Sequence, residues 1–595
     1  MCGIVGYISK NKNAIEVLIN GLKSLEYRGY DSSGIAYIKD NKIIIKKEKG
    51  KVSELEKDIN ISEESNIGIA HTRWATHGIP DKINAHPHSC EKITLVHNGI
   101  IENYEELKEK LKDIYEIKSQ TDTEIIAILL NDIYKEKNNI IDSIIELKKI
   151  LKGSYALAIL CEDYKDKIFA LRKDSPLIIA KNDDSSFLAS DVPAILKYTN
   201  KYILLEQDEI AILEKDKINI INDNKELQNK EIKIFEGDIN SAEKNGYSHF
   251  MLKEIYEEKD AIKRIMNENN TFEKFLNNYK FLKNYNKISI IACGSSYHVG
   301  MISKYLIEEN ANIEVNVEVA SEFRYKKNFL DKNSLAIFIS QSGETADTLA
   351  SLRMVKEKNI PTLAIVNVVG SSIAREADTT IYTNSGPEIA VATTKALISQ
   401  LVITTLITLY LGCINNNITK DEVISSLNEL NSLDNEIETI LKMDYKEIAK
   451  GLYTKNSLFF IGRNIDYAIA LEGSLKLKEI SYIHSEAYPS GELKHGTISL
   501  IEENTPVICI LTKDEIIDKT ISNIKEVKAR GAHIIGITTK NYDFIDQKII
   551  LSKKSKFIVP IIAIIPLQLI AFETAKLKNC DIDKPRNLAK SVTVE

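Results

Sequence analysis

The 595-residue chain is poor in cysteine, and no two of its seven cysteines form a C-x-x-C pair. Cys2, Cys90, Cys161, Cys293, Cys413, Cys509 and Cys580 are odd in number and widely dispersed. That argues against a disulfide framework or a zinc finger and fits a reducing compartment. Long basic runs are absent and the net charge is −7, so neither nucleic acid nor an anionic membrane is an expected partner. The apolar stretch around Cys2 is too short for a signal peptide. The most apolar late run, residues 557–572, is interrupted by Pro560 and Pro566 and falls short of the ~20 residues that span a bilayer. It reads as buried core, and the expected location is the cytoplasm. A Walker A loop and a Gly-x-Gly-x-x-Gly fingerprint are both missing, which leaves ATP and NAD without a visible site. No cofactor is expected. His86-Pro87-His88 invites a metal reading, but partner Cys or carboxylate ligands are not evident, so no metal is expected either.

What remains is an ordinary globular composition, 44% hydrophobic and 27% charged, with length enough for about three or four domains. Residues 2–232 carry short apolar runs between Gly, Asn and Asp turns, with a few helical stretches such as 123–134, and predict sheets layered with helices. Residues 233–246 read as a linker. Beyond it, apolar runs at 287–293, 335–339 and 362–366 each lead into a turn and an amphipathic helix, and the pattern restarts at 458–461 and 507–511. Strand–turn–helix units in series predict doubly wound parallel sheets. The fold class is therefore α/β multidomain, with a duplicated domain at 279–418 and 451–585, a helical stretch at 415–450 between the copies, and a tail at 586–595.

Cys2 follows Met1 and precedes Gly3. Trimming of Met1 would leave a thiol and a free α-amine on one residue, nucleophile and base together. Cys2 also fits the start of a buried strand. The segment His71–Gly78 holds the only tryptophan, Trp74, next to Arg73. The Arg73 fork suits a carboxylate, though a surface ion pair is as consistent. Asn98-Gly99 offers a side-chain amide and a backbone N–H, the two donors of an oxyanion hole. It is also a common hairpin dipeptide. Asp122, in Thr121-Asp122-Thr123-Glu124, could hold the ammonium of an amino acid, or the segment could cap a helix.

Taken in this order, Cys2-Gly3-Ile4, His71–Gly78, Asn98-Gly99 and Thr121–Glu124 resemble the class II glutamine amidotransferases. The resemblance implies an αββα N-terminal-nucleophile glutaminase domain. Cys2 would attack the glutamine side-chain amide, and Asn98 and Gly99 would stabilise the oxyanion. Arg73 and Asp122 would hold the glutamine backbone groups, with Trp74, Thr76, His77 and His86 nearby.

In the second half, Ser340-Gln341-Ser342-Gly343-Glu344-Thr345 lies between a predicted strand and a helix start, where hydroxyls and free N–H groups favour a phosphate. Cys293–Ser296 is a second hydroxyl turn. Lys476 and Glu479 are three apart on a predicted helix and share a face, which also fits a surface ion pair. These segments, together with Glu388–Lys395, Leu471–Glu479, Gly491–Gly496 and Pro585–Glu595, resemble the sugar-isomerase (SIS) amidotransferases that fuse a class II glutaminase to two tandem SIS domains. The likeness covers essentially the whole chain. It implies L-glutamine and D-fructose 6-phosphate as substrates, D-glucosamine 6-phosphate and L-glutamate as products, and an internal ammonia channel with Trp74 near its gate. It makes Glu479 the base between sugar carbons 1 and 2 with Lys476 adjacent, and Lys590 the Schiff-base amine. His495 would be the ring-opening group acting across a homodimer. Ser296, Ser340, Gln341, Ser342 and Thr345 would bind the phosphate, with Val391 and Thr393 close by. Ser295, Thr393 and Thr497 depart mildly from the family pattern, which often has Thr, Ser and Pro there. A related sugar-phosphate amidotransferase or deglycase, or a non-catalytic sugar-phosphate sensor, is the alternative.

Overall fold

The computed structural model describes residues 2–593, apart from Lys12, Thr76, Asp208 and residues 235–243, and apart from the side chains of Lys283 and Asn284. Thr76 and most of the expected linker therefore lie outside the described residues. The chain divides into two compact units, residues Met1–Ala242 with Ala589–Glu595, and residues Glu243–Leu588.

Two antiparallel sheets build the first unit. One has eight strands in the order Lys233–Ile234, Lys201–Leu204, Ile178–Lys181, Ser185–Ala189, Gly3–Ser9, Ile67–Arg73, Ser32–Lys39 and Lys42–Lys49. The other has six: Ile218–Ile221, Ile210–Leu213, Ile168–Lys173, Gly153–Cys161, Ile93–Ile101 and His88–Cys90. Alternation along each strand separates two cores. In Ile93–Ile101, Val96 joins Ile4, Ile69 and Ala158 between the sheets, whereas Leu95 joins Ile126 and Leu130 beneath the helix Asp122–Lys137. On the other side, the helix Ala14–Leu25 lies so close to the first sheet that a Cβ on Gly21 would meet Val5 at 2.9 Å. The layering is the expected αββα. Lys233–Ile234 pairs with Lys201–Leu204, so the strand system reaches into the first two residues of the expected linker.

In the second unit there are two five-stranded sheets whose described pairings are all parallel. Their orders are Glu314–Val319, Lys287–Ala292, Ser334–Ser340, Thr362–Val366, Thr379–Tyr382, and His484–Pro489, Ser457–Gly462, Pro506–Leu511, His533–Thr538, Gln547–Ile550. Each runs 2-1-3-4-5 in chain rank, so the duplication anticipated from the restarting pattern is a repeat of topology. Between the copies stand the helices Lys420–Asn431, Asp434–Leu441 and Lys446–Leu452.

Two helices, Lys395–Ile414 and Val559–Leu577, are long and apolar enough to cross a membrane, and each is 89% buried inside the protein. They are core helices. Pro560 and Pro566 do not interrupt the second one. Pro560 sits in the first turn, where its missing N–H costs nothing. Pro566 lies inside the helix beside Leu567, which packs so tightly on Gly473 that a Cβ there would meet it at 2.8 Å. Burial on this scale offsets the roughly 3 kcal/mol that an interior proline costs.

The copies differ after their third strands. In the first, Ser340–Thr345 leads into the helix Ala346–Glu357. In the second, Thr512 and Lys513 donate their backbone N–H groups to Oδ2 of Asp466, at 2.9 and 3.3 Å, and the Thr512 hydroxyl donates to Oδ1. Asp466 is the second residue of the helix Ile465–Ser481, the position that Ser295 holds in Gly294–Ala311.

Candidate active sites

Cys2 lies at the edge of the strand Gly3–Ser9. Its Sγ accepts the Trp74 N–H at 3.3 Å and lies 3.6 Å from the Trp74 carbonyl. Its own carbonyl accepts from Arg28 Nε at 3.1 Å and from Asn98 Nδ2 at 2.9 Å. Arg28 is buried and bridges to Asp191 at 2.8 Å, and the Tyr27 hydroxyl donates to the same carboxylate. Sequence reasoning missed this clamp. Arg28 and Asp191 are 163 residues apart, and no periodicity connects them.

A pocket is lined by Cys2, Arg73, Trp74, His77, His86, His97, Gly99, Thr121, Asp122 and Thr123. Every glutamine-site residue expected from the sequence lies on that wall, save Asn98 and the undescribed Thr76. Arg73 is buried rather than in a surface ion pair; its guanidinium donates to the carbonyls of His77, Gly78 and Ile79. Thr121 does cap the helix Asp122–Lys137, accepting from the Glu124 N–H at 3.4 Å. Asp122, next in line, turns into the pocket. Its Oδ2 accepts the Ile101 N–H at 3.0 Å, and its Oδ1 lies 3.8 Å from His97 Nδ1. Burial pushes the Asp122 carboxyl up, but the facing His97 and the Ile101 N–H together hold it below the ordinary aspartate range.

Asn98-Gly99 is no hairpin turn. Both residues sit inside the strand Ile93–Ile101, with Gly99 opposite Tyr155. Gly99 has φ +128°, and a Cβ would meet the Ser154 carbonyl oxygen at 2.0 Å, so the chain can take this path only with glycine. Asn98 stands one residue behind the pocket wall. Its Oδ1 faces His71 Nε2 at 3.1 Å, and the same nitrogen lies 2.9 Å from the His97 carbonyl. The His86 ring stacks on His71 at 4.1 Å and meets His88 edge-on at 5.1 Å. Burial pushes all three imidazoles down, His71 to about 3. His77 packs edge-on to Tyr104.

The second unit brings its own groups together. On the helix Ile465–Ser481, Lys476 Nζ lies 2.6 Å from Glu479 Oε2 and 3.5 Å from Glu472 Oε1. Glu472 also accepts from the Ser295 hydroxyl at 3.0 Å and meets His298 Nδ1 at 2.8 Å. Lys476 is 1% exposed, so this is not a surface pair. Ser340–Thr345 forms a tight hydroxyl loop: Ser340 Oγ is 3.0 Å from Thr345 Oγ1 and accepts the Gly343 N–H at 3.0 Å, while Ser342 Oγ accepts from the Glu344 N–H. The Gln341 carbonyl accepts the Asn367 N–H. Ser296 donates to Gln400 at 3.1 Å. Thr393 donates to Glu388 at 2.7 Å, and Val391 N–H to the Asp583 carbonyl at 3.0 Å. His495, itself exposed, ends the 3-10 turn Glu492–His495. Lys590 is half-buried and falls in the first unit. Among the described residues no group of three or more His, Cys, Asp or Glu side chains is arranged to hold a metal ion.

Comparison with known proteins gives these sites a context. A SIS domain model matches residues 281–410 and 451–577, and a glutamine amidotransferase domain model matches residues 71–197. The chain is 48% identical over 614 aligned residues to the glutamine–fructose-6-phosphate aminotransferase [isomerizing] of Clostridium tetani, all of both chains being covered. It is 45% identical to the protein of that name from Francisella tularensis, again over the whole of both. The solved C-terminal domain of glucosamine-fructose-6-phosphate aminotransferase from Francisella tularensis matches 58% of the chain and all of itself, with 40% identity and a TM-score of 0.55.

Proposed function

The chain belongs to the glutamine–fructose-6-phosphate aminotransferase family, and from that premise we infer that it converts L-glutamine and D-fructose 6-phosphate to L-glutamate and D-glucosamine 6-phosphate. The observation that carries this reading beyond family membership is the convergence of Cys2, Arg73 and Asp122 on one pocket. A thiol, a cation and an anion at one site match the side-chain amide, carboxylate and ammonium of glutamine.

After removal of Met1, the α-amine of Cys2 takes the thiol proton and the thiolate adds to the carboxamide carbon. Asn98 and the Gly99 N–H hold the oxyanion. Collapse expels ammonia and leaves a γ-glutamyl thioester, which water cleaves to glutamate. Arg73 and Asp122 hold the substrate ends, with Trp74, His77 and His86 closing around it. The ammonia is passed to the sugar site.

There, Ser296, Ser340, Gln341, Ser342 and Thr345 grip the phosphate, with Val391 and Thr393 beside the sugar. His495, supplied by the second subunit of a homodimer, opens the ring. Lys590 forms an imine at carbon 2, and ammonia displaces it. Glu479, beside Lys476, then takes a proton from carbon 1 and returns it to carbon 2, giving the amino aldose. The two apolar helices are core elements, and we place the enzyme in the cytoplasm with no membrane partner.

The test is Cys2→Ala, assayed with glutamine and then with ammonium salts. Glutamine-dependent product should vanish while isomerisation of the sugar phosphate persists. Retained glutamine hydrolysis would reject Cys2 as the nucleophile.

A further inference from the structure

We propose that His71 is a positioning residue for glutamine hydrolysis: its ring N–H fixes the side-chain amide of Asn98 so that the amide nitrogen, not the oxygen, faces Cys2. The proposal rests on Asn98 acting as an oxyanion donor.

The geometry is fully specified. His71 is 0% exposed in the strand Ile67–Arg73, directly opposite Ile4 of the strand that follows Cys2. Its Nε2 has two neighbours within hydrogen-bond reach, the His97 carbonyl at 2.9 Å and Asn98 Oδ1 at 3.1 Å. Both are acceptors, so Nε2 must carry the hydrogen. Nδ1 is buried with no hydrogen-bond partner among the described residues, as a bare lone pair in the neutral tautomer would be. The stacked His86 ring, 4.1 Å away, holds the plane of the imidazole.

An asparagine amide can flip by 180° at little cost unless its neighbours discriminate oxygen from nitrogen. Here one side offers a donor, His71 Nε2–H, and the other an acceptor, the Cys2 carbonyl, 2.9 Å from Asn98 Nδ2. A flip would set two oxygens against each other and leave the His71 hydrogen facing an NH2 group. Only one hydrogen of the amide nitrogen is used on Cys2, and the second remains for a developing oxyanion. Because burial keeps His71 neutral down to about pH 3, the donor pattern does not change across the working range, and His71 itself contributes no limb to the pH profile.

The test uses full-length enzyme and steady-state glutamine hydrolysis, with thermal unfolding of each variant as the control for folding. His71→Phe keeps a ring against His86 but removes the donor. It should lower kcat about 10²-fold, the lower end of what one lost oxyanion donor costs, with KM for glutamine little changed. His71→Gln, whose amide nitrogen reaches the same place, should recover most of the rate. In an Asn98→Ala background, His71→Phe should cost nothing further. If His71→Phe does not fold, His71→Asn, too short to reach Asn98, takes its place. Equal losses in the Phe and Gln variants, or losses that add to Asn98→Ala, would overturn the positioning role. Full activity of Asn98→Ala alone would instead overturn the oxyanion assignment.

Discussion

Lys476 and Glu479 face each other across 2.6 Å on one turn of a single helix, with the lysine 1% exposed. Burial works against the Lys476 ammonium, but Glu479 and Glu472 outweigh it and hold its pKa above the ordinary lysine value. One ammonium between two carboxylates leaves the Glu472–Lys476–Glu479 cluster with a net charge of −1.

Removing either partner should therefore have separable effects. Glu479→Gln should lower the rate of amino-sugar formation by about 10²–10⁴-fold and leave glutamine hydrolysis intact. Lys476→Met leaves Glu472 buried without its cation and should cost about 3–5 kcal/mol of stability. Thermal unfolding and coupled product assays on both variants check this, and equal stability of the two would contradict it.

Gly99→Ala should abolish glutamine hydrolysis and destabilise the first unit by at least about 1–3 kcal/mol. The added Cβ meets a backbone oxygen at 2.0 Å, and φ is +128°, so no side chain can move aside. Denaturant unfolding followed with a glutaminase assay gives both readouts.

Gly343→Ala tests the hydroxyl loop. With φ +64° and the Ser371 Oγ only 2.0 Å from where the new Cβ would stand, the loop must shift. The expected outcome is a raised KM for fructose 6-phosphate with unchanged KM for glutamine in the hydrolysis assay.

Three buried imidazoles predict acid sensitivity. His71, His86 and His88 have folded pKa values depressed below 6.5, His71 to about 3. In the unfolded chain they bind protons near pH 6.5 and in the folded chain they do not. Stability is thus fully present above pH 6.5 and falls as pH drops below it, His71 contributing about 1.4 kcal/mol per pH unit down to about pH 3 and His86 and His88 acting in the same direction. Melting temperature measured from pH 7.5 to pH 4.5 should decline below pH 6.5, and a flat profile would count against these histidines being neutral when folded.

Borohydride reduction in the presence of fructose 6-phosphate should add one sugar to Lys590, seen by peptide mass. Labelling of another lysine would reject the Schiff-base role.

The lining of the Cys2 pocket was legible in the sequence where it is local. Thr121-Asp122 could be read as a helix cap or an ammonium site, and it is a cap whose next residue lines the pocket, so neither reading excluded the other. Asn98-Gly99 was ambiguous because a hairpin and a strand with positive φ ask for the same dipeptide; only the pairing of Gly99 with Tyr155 separates them. Arg28 and Asp191 stayed hidden because one ends a 3-10 turn and the other caps a second turn 163 residues away, so only the fold brings them together; His71 stayed hidden because its partner is set by the register of its strand. The proline-containing run 557–572 was recognised as core, but its continuity as one helix depends on packing against Gly473 that no local propensity encodes.

The Asp466 carboxylate has a consequence for stoichiometry. Where the first copy has a hydroxyl residue at the second position of its helix, the second copy has its own anion, already bound by the N–H groups of Thr512 and Lys513. A phosphate approaching that loop would find its donors taken and a negative charge in place. A duplicated fold with two equivalent cradles would be expected to bind two ligands. With one cradle stoppered from within, titration should saturate at a single sugar phosphate per chain, and the second copy is free to evolve as a scaffold for Lys476 and Glu479.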